Sequence, residues 1–441
     1  MSTPLALPTL SYQEGRLLMD QRCRAMGVPS VRTIAQAYRV TGPLDLAVLD
    51  QALAVLTARH AALRASFPDG AYGQTVYPHR TVHSVLFDAG DEAAAIETVR
   101  AEADRPLPAD QPERLRVSVV RVADDDNFVV LVFDHLVVDA WARGVLMDEL
   151  SAIYRAIGAG EVPDVPELGY TYEDYVRAQA DLLAGPDGQR MMAFWREQLA
   201  ETGAIPRLDV PKLPAGLPAE GGYATRTLPA DLVADVRRFA ARERVTLFML
   251  VLCALQLALR ERTAADQQSV AVNVYNRETV DRENLVAPLA ELLVVRTDLA
   301  GAETFRDALR RVRAGSLDAQ DNGAVPFAEL VKTFNPDEYA DPDAPIGVVL
   351  NMLYAQVHGG GLDLAPATTA TFPLSDEGFR PRSELMVVGE AGDDELRLSA
   401  YYQADRLSAE FVTGLLDAVS ALLAAAAADP LLPIERDRDR V

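Results

Sequence analysis

Asp134-His135-Leu136-Val137-Val138-Asp139-Ala140-Trp141 follows directly on the apolar run Phe128-Val129-Val130-Leu131-Val132-Phe133. That run is rich in β-branched and aromatic residues and is bounded upstream by Asp124-Asp125-Asp126-Asn127, so it reads as a buried strand. Downstream, Trp141, Val145, Leu146, Leu150 and Ile153 recur at helical spacing from Ala140 to Tyr154. A histidine and two carboxylates therefore stand in a strand-to-helix connection, where a rigid scaffold presents side chains to a cleft. Imidazole is the side chain best suited to handle protons near neutral pH. His135 is thus the first candidate for chemistry, and a histidine that only satisfies its own hydrogen bonds at a strand end is the competing reading.

The pattern continues on both sides. Leu44 to Phe67 reads as a helix with Leu49, Leu53, Leu56 and Leu63 on one side, and strands follow at Tyr72–Val76 and Leu115–Val122. Glycines and prolines between Gly158 and Gly169, and again from Glu201 to Gly222, mark long connections. Helices are expected at Leu228–Ala241, Leu247–Arg260, Phe305–Ala319 and Ala409–Ala428. Strands are expected at Ser269–Tyr275, Leu292–Thr297, Ile346–Tyr354 and Leu396–Tyr402. Strands and helices mixed in this way, without an internal period, indicate an α/β protein with α+β layers. Two lobes are expected, residues 1–175 carrying the histidine motif and residues 176–441 forming the second.

Composition narrows the function. With 441 residues and 49% hydrophobic content the chain has material for one large core or two ordinary ones. A net charge of −23 argues against nucleic acid as a partner, since phosphate binding needs a positive surface. No apolar stretch is read as spanning a bilayer, and no basic-then-apolar leader opens the sequence, so a cytoplasmic protein without membrane association is expected. The two cysteines, Cys23 and Cys253, are too few for a disulfide framework or a zinc site. The five histidines, His60, His79, His83, His135 and His358, show no metal-ligand spacing, and Pro78 beside His79 and His83 disfavours a helical pair.

The stretch from Asp134 to Ala140 resembles the His-His-x-x-x-Asp-Gly motif of condensation domains from nonribosomal peptide synthetases, with Asp134 for the first His and Ala140 for the Gly. Further landmarks of that family occur in order. Ser11, Arg16 and Leu17 match its opening Ser-x-Ala-Gln-x-Arg-Leu. Arg59-His60-Ala61-Ala62-Leu63-Arg64-Ala65-Ser66-Phe67 is close to Arg-His-Glu-x-Leu-Arg-Thr-x-Phe. Tyr172-Glu173-Asp174-Tyr175, Phe194-Trp195 with Leu199, Leu293 to Arg296, and Val325-Pro326-Phe327 resemble later motifs. The resemblance runs from about Ser11 to about Pro430.

What this resemblance implies is specific. Two chloramphenicol-acetyltransferase-like lobes would form a V with a central tunnel. The protein would be a free-standing condensation enzyme, joining an acyl thioester on a carrier protein to an amine or alcohol. No cofactor is held permanently; the substrate arrives on the phosphopantetheine arm of an acyl or peptidyl carrier protein in trans, or as a coenzyme A thioester. His135 would be general base or nucleophile-positioning group, with Asp134 beside it to orient the ring or raise its pKa. Asp139 would be architectural, paired with Arg64. Ala140, Trp141 and Asn351 would contact substrate. Carriers are usually acidic, so docking would use a basic patch: Arg22 and Arg24, Arg237-Arg238 with Arg242 and Arg244, or Arg380-Pro381-Arg382.

Departures from the pattern keep other readings open. The spacing Asp134-x-x-x-x-Asp139 resembles the Asp-x-x-x-x-Asp-x-x-Ser of heterocyclisation domains, but Ala142 stands at the Ser and His135 is kept. Glu291 replaces the Asn of a later motif. Cyclisation of a tethered intermediate, transfer from coenzyme A, and a non-catalytic domain recruiting partners to a carrier are the alternatives.

Overall fold

The computed structural model describes residues 3–26, 33–68, 73–263, 265–277, 279–341, 344–354, 361–374, 379–431 and 433–434. The chain opens with β1 (Leu5–Leu7), α1 (Ser11–Met26), β2 (Thr33–Thr41), α2 (Leu46–Arg59), β3 (Ala65–Ser66), β4 (Gln74–Val76), β5 (Ser84–Asp88) and α3 (Glu92–Asp104). Next come β6 (Leu115–Ala123), β7 (Asp126–Asp134), α4 (Ala140–Gly158), α5 (Tyr172–Ala184), α6 (Pro186–Leu199), β8 (Gly221–Leu228), α7 (Ala230–Glu243) and α8 (Leu247–Thr263). The remainder is β9 (Gln267–Val274), α9 (Val280–Glu283), β10 (Glu291–Asp298), α10 (Phe305–Asp321), α11 (Phe327–Phe334), β11 (Ile346–Tyr354), β12 (Thr368–Phe372), β13 (Ser383–Ala391), β14 (Leu396–Gln403) and α12 (Ala409–Ala428). The fold is mixed α/β, as the alternation of patterns indicated. Tyr72 and His358 lie outside the described residues.

Two compact units divide the chain. The first takes Met1–Ala184 together with two later segments, Tyr275–Ala290 and His358–Ser375; the second takes the rest. A single cut between residues 175 and 176 omits both of these returns, which no change of composition marks.

The first unit is organised by β7. Its five-stranded sheet has the order β12-β2-β7-β6-β5, and β7 is antiparallel to both neighbours, Phe133 lying opposite Ile34 on one side and Leu115 on the other. Because side chains alternate along a strand, Val129, Leu131 and Phe133 join the core beneath α2 and α4. Phe128, Val130 and Val132 join a second apolar layer that includes Ala95 and Val99 of α3. Burial on both faces explains why the run is continuously apolar rather than alternating. The returning strand β12 completes the sheet by pairing with β2, Thr369 opposite Val40.

The second unit holds a six-stranded sheet of order β10-β9-β11-β13-β14-β8, with β11 parallel to β9 and β13 and the other pairs antiparallel. In α8 every residue from Met249 to Arg260 is buried, as expected for a helix enclosed by neighbours. Gly315 of α10 is where that helix crosses β10: a Cβ there would stand 2.7 Å from the Arg296 carbonyl oxygen. Among the described residues one helix, α12, is long and apolar enough to cross a membrane by length and composition. This corrects the expectation that no stretch qualifies; in the structure Val412, Leu415, Leu416, Val419 and Leu423 of α12 are buried in the second unit's core.

Candidate functional site

β7 delivers Asp134 at its last position and His135 immediately after it, and α4 begins five residues later at Ala140. The turn between them is closed by the backbone: Val137 and Val138 N–H donate to the Asp134 carbonyl at 3.0 and 3.1 Å. Leu136, Val137 and Val138 are fully buried and anchor the turn from below.

Asp134 is engaged away from the imidazole. Its Oδ1 accepts from Leu136 N–H at 2.9 Å and its Oδ2 accepts from Arg114 Nη1 at 2.5 Å, in an ion pair whose two side chains are both fully buried. Arg114 precedes β6 directly, and its carbonyl accepts from Asp134 N–H at 3.0 Å, so the pair joins neighbouring strand ends. Arg114 also donates to the carbonyls of Pro108 and Gln111. The expectation that Asp134 raises the pKa of His135 is corrected. Loss of solvent, and then the positive charge of Arg16, push the ring down to about 3. The guanidinium of Arg114 already neutralises Asp134, so little field is left to act on the ring.

His135 is part-buried and its Nδ1 lies 3.0 Å from Tyr12 Oη of α1. Arg16, one turn further along α1, donates from Nε to the same hydroxyl at 3.1 Å. The helix is fixed to the motif turn by Gln13, whose Nε2 donates to the Leu136 carbonyl at 2.8 Å and to Tyr172 Oη at 2.6 Å. Tyr172 Oη in turn donates to Gln74 Oε1 at 2.8 Å, and burial pushes this phenol up to about 12. Three stretches singled out in the sequence (Ser11 to Leu17, Asp134 to Ala140, and Tyr172 to Tyr175) are thus one bonded cluster.

Asp139 is ion-paired, but with a partner other than the expected Arg64. Arg277 Nη2 donates to both its carboxylate oxygens, at 3.1 and 3.3 Å, with both side chains 1% exposed. Leu289 and Ala290 N–H add bonds of 2.9 Å each to Oδ2, and Ala142 N–H one of 2.7 Å to Oδ1, which caps α4. Arg64 spends its donors on the carbonyls of Thr57, Ala58 and Tyr77 instead. The physical reason is the return of Tyr275–Ala290 to the first unit, which brings an arginine and two free amides to the carboxylate. Sequence proximity of motifs could not reveal that return.

Trp141 serves the same segment. Its Nε1 donates to the Glu283 carbonyl at 2.9 Å, its ring lies 5.8 Å from that of Tyr275, and the Arg277 guanidinium stands 5.7 Å from its centre. Ala140 is the first residue of α4 and needs no left-handed backbone. In the second unit, Asn351 on β11 lines a cavity of about 260 Å³ with Met386, Val388, Ser399 and Tyr401. Of the arginine clusters, Arg24 pairs with Asp20, Arg238 with Asp235, and Arg380 with Asp405 at 2.9 Å, so these charges are already matched.

Sequence reasoning passed over Tyr12, Arg114 and Arg277. Tyr12 fell at a variable place inside a quoted motif. Arg114 had one available signal, an arginine set directly against the apolar strand Leu115–Val122. Arg277 had none.

This chain belongs to the condensation domain family, which matches residues 7–437. It is 29% identical over 438 residues to a linear gramicidin synthase chain of Brevibacillus parabrevis, a match covering 96% of this chain and 6% of that protein. It is 30% identical over 456 residues to the isonitrile lipopeptide synthase of Mycobacterium tuberculosis, covering 97% of this chain and 17% of that one. The chain therefore spans a small fraction of these relatives. Among solved structures, the X-domain from teicoplanin biosynthesis superposes with a TM-score of 0.85 at 21% identity, over 99% of this chain and 98% of that one. The same domain has been solved in complex with OxyB.

Proposed function

We propose that this condensation domain transfers an acyl group from a carrier-protein phosphopantetheine thioester to an amine or alcohol, with His135 as the residue on which transfer depends. The observation that carries this reading is the held imidazole: a part-buried, uncharged ring bonded at Nδ1, on a turn fixed by α1, β7 and α4. A rigidly placed neutral ring is what a dry site needs to organise attack on a thioester. In the reaction the acceptor nitrogen or oxygen bonds to the thioester carbonyl carbon, the carbon–sulfur bond breaks, and the pantetheine thiol leaves with the proton the nucleophile gives up. Asp139 and Arg277 hold the turn, and Asp134 with Arg114 holds its first residue. Ala140 and Trp141 at the head of α4 are the side chains assigned to substrate contact beside His135.

A second reading has one observation in its favour. The X-domain, solved in complex with OxyB, has nearly the same fold over nearly the whole chain. On that reading this domain recruits a partner enzyme to a carrier without transferring acyl groups itself.

Intact mass spectrometry separates the two. Acyl-loaded carrier protein is incubated with the chain and a panel of amines and alcohols, beside His135→Ala. Acyl loss with a new amide or ester that disappears in His135→Ala supports transfer; loss of water on the carrier itself points to cyclisation. Carrier binding with no turnover under any acceptor overturns transfer in favour of recruitment.

A further inference from the structure

Tyr12 and Arg16 form a chain of hydrogen bonds that ends on the ring of His135. Arginine nitrogens only donate, so the 3.1 Å contact makes Tyr12 Oη an acceptor from Arg16 Nε. The guanidinium also lies 5.3 Å from the Tyr12 ring centre. A phenol whose oxygen takes a charge-assisted bond becomes a stronger donor through its single O–H. An acceptor within reach is His135 Nδ1, at 3.0 Å, with the two rings 5.9 Å apart. When Nδ1 accepts that proton bond, the one proton of the neutral ring resides on Nε2.

We infer that Arg16 and Tyr12 are positioning residues that hold His135 in the Nε2–H tautomer, so that the ring meets the reacting thioester as a hydrogen-bond donor and not as a base. This deepens the acyl-transfer reading and rests on it. The Nε2–H would stabilise the oxyanion formed at the thioester carbonyl. The proton lost by the nucleophile then goes to the departing thiolate sulfur, and the ring's own proton stays in place. The positive charge of Arg16 and the burial of the ring both oppose a second proton, which agrees with a ring that stays neutral. The competing tautomer is defined by the same surroundings: the carbonyls of His135 and Val138 favour a ring N–H. An Nδ1–H donated to one of them would leave Nε2 as a base.

The test is long-range proton–nitrogen NMR on protein labelled with ¹⁵N-histidine, with the His135 signals assigned by their loss in His135→Gln. The expected wild-type spectrum shows a neutral ring protonated at Nε2, and Tyr12→Phe moves it towards the Nδ1–H pattern. In the carrier assay Tyr12→Phe lowers kcat about tenfold, the scale of one lost hydrogen bond, with KM unchanged. Arg16→Gln keeps a side-chain donor but removes the charge, and raises the pH at which the ring takes its second proton. A wild-type Nδ1–H spectrum overturns the inference without any variant having to fold, and so does a Tyr12→Phe spectrum identical to wild type. If His135→Ala turns over normally, acyl transfer through His135 falls, while the tautomer is still read from the spectrum.

Discussion

Asp139 supplies the prediction with the largest expected effect. Replacing it by alanine leaves the Arg277 guanidinium 1% exposed with no carboxylate, and strips the Leu289 and Ala290 amides of their acceptor. Breaking one side of a buried pair costs about 3–5 kcal/mol, and the lost cap of α4 contributes about 1 kcal/mol of it. Arg277→Leu is milder, about 2–3 kcal/mol, because the carboxylate keeps its amide donors, including Ala142 N–H. The double variant should cost about as much as Asp139→Ala alone. That gives a coupling of about 2–3 kcal/mol, the upper end of what residues in direct contact show. Asp139→Ala with Arg64→Ala should instead add within about 0.5 kcal/mol, because the two residues share no described partner.

With two compact units in the chain, a single unfolding curve is a poor readout. Hydrogen exchange followed by mass spectrometry on peptides covering residues 279–290 reads the opening of the anchored segment itself. A loss of about 4 kcal/mol accelerates exchange there roughly a thousandfold, each 1.4 kcal/mol being about tenfold. Additive behaviour of Asp139 with Arg277, or strong coupling of Asp139 with Arg64, would refute the anchoring scheme.

Three further outcomes are expected. Arg114→Met removes the cation from the fully buried Asp134 carboxylate, which keeps the Leu136 N–H, and should lower stability by about 3 kcal/mol; pairing it with Asp134→Leu should recover most of that in the thermal midpoint. Because the His135 pKa is held near 3, against 6.5 for the free side chain, the ring is neutral across the working range, and the acyl-transfer rate should show no acid limb near pH 6.5. Its contribution to stability is full above about 6.5 and falls as pH drops towards 3. Glu291, buried at the start of β10, has its pKa raised to about 8 from 4.5 by loss of solvent, so its contribution is full below 4.5 and is lost as pH rises through 8. Glu291→Gln should flatten the pH dependence of the thermal midpoint over that window, and an unchanged slope would count against a buried neutral carboxyl.

How much of this could be read from sequence depended on whether the determining contact was local. Phe128 to Phe133 declared itself because both faces of β7 are buried, which writes the strand as an unbroken apolar run. Helices α4 and α12 declared themselves through helical spacing. By contrast β13, Ser383–Ala391, carries only the short apolar run Leu385 to Val388 between Glu384 and Gly389, and its place in the sheet comes from parallel pairing with β11 across a long connection. The site divides in the same way. His135 stands out in the sequence because it is one of five histidines and follows directly on the apolar strand. The partner of Asp139 does not, because Arg277 reaches it through a segment that leaves the first unit and comes back 138 positions later.

The exchange of a histidine for Asp134 is the departure that most invites a reading as altered chemistry, and its surroundings argue for a simpler account. A carboxylate in a fully buried place demands a cation, and Arg114 supplies it at 2.5 Å while bonding two backbone carbonyls of the segment before β6. Asp134 with Arg114 is therefore part of the support of the turn, its charge met by the guanidinium. What then sets the ring's behaviour is α1: Tyr12 on Nδ1, Arg16 behind it, and Gln13 on the carbonyl of the next residue. Asp134→Asn should accordingly lower stability while leaving the His135 tautomer and its pH response as they are, whereas Tyr12→Phe should leave stability nearly intact and change the ring. The opposite assignment of effects, with Asp134→Asn moving the imidazole signals and Tyr12→Phe not, would return Asp134 to the chemistry.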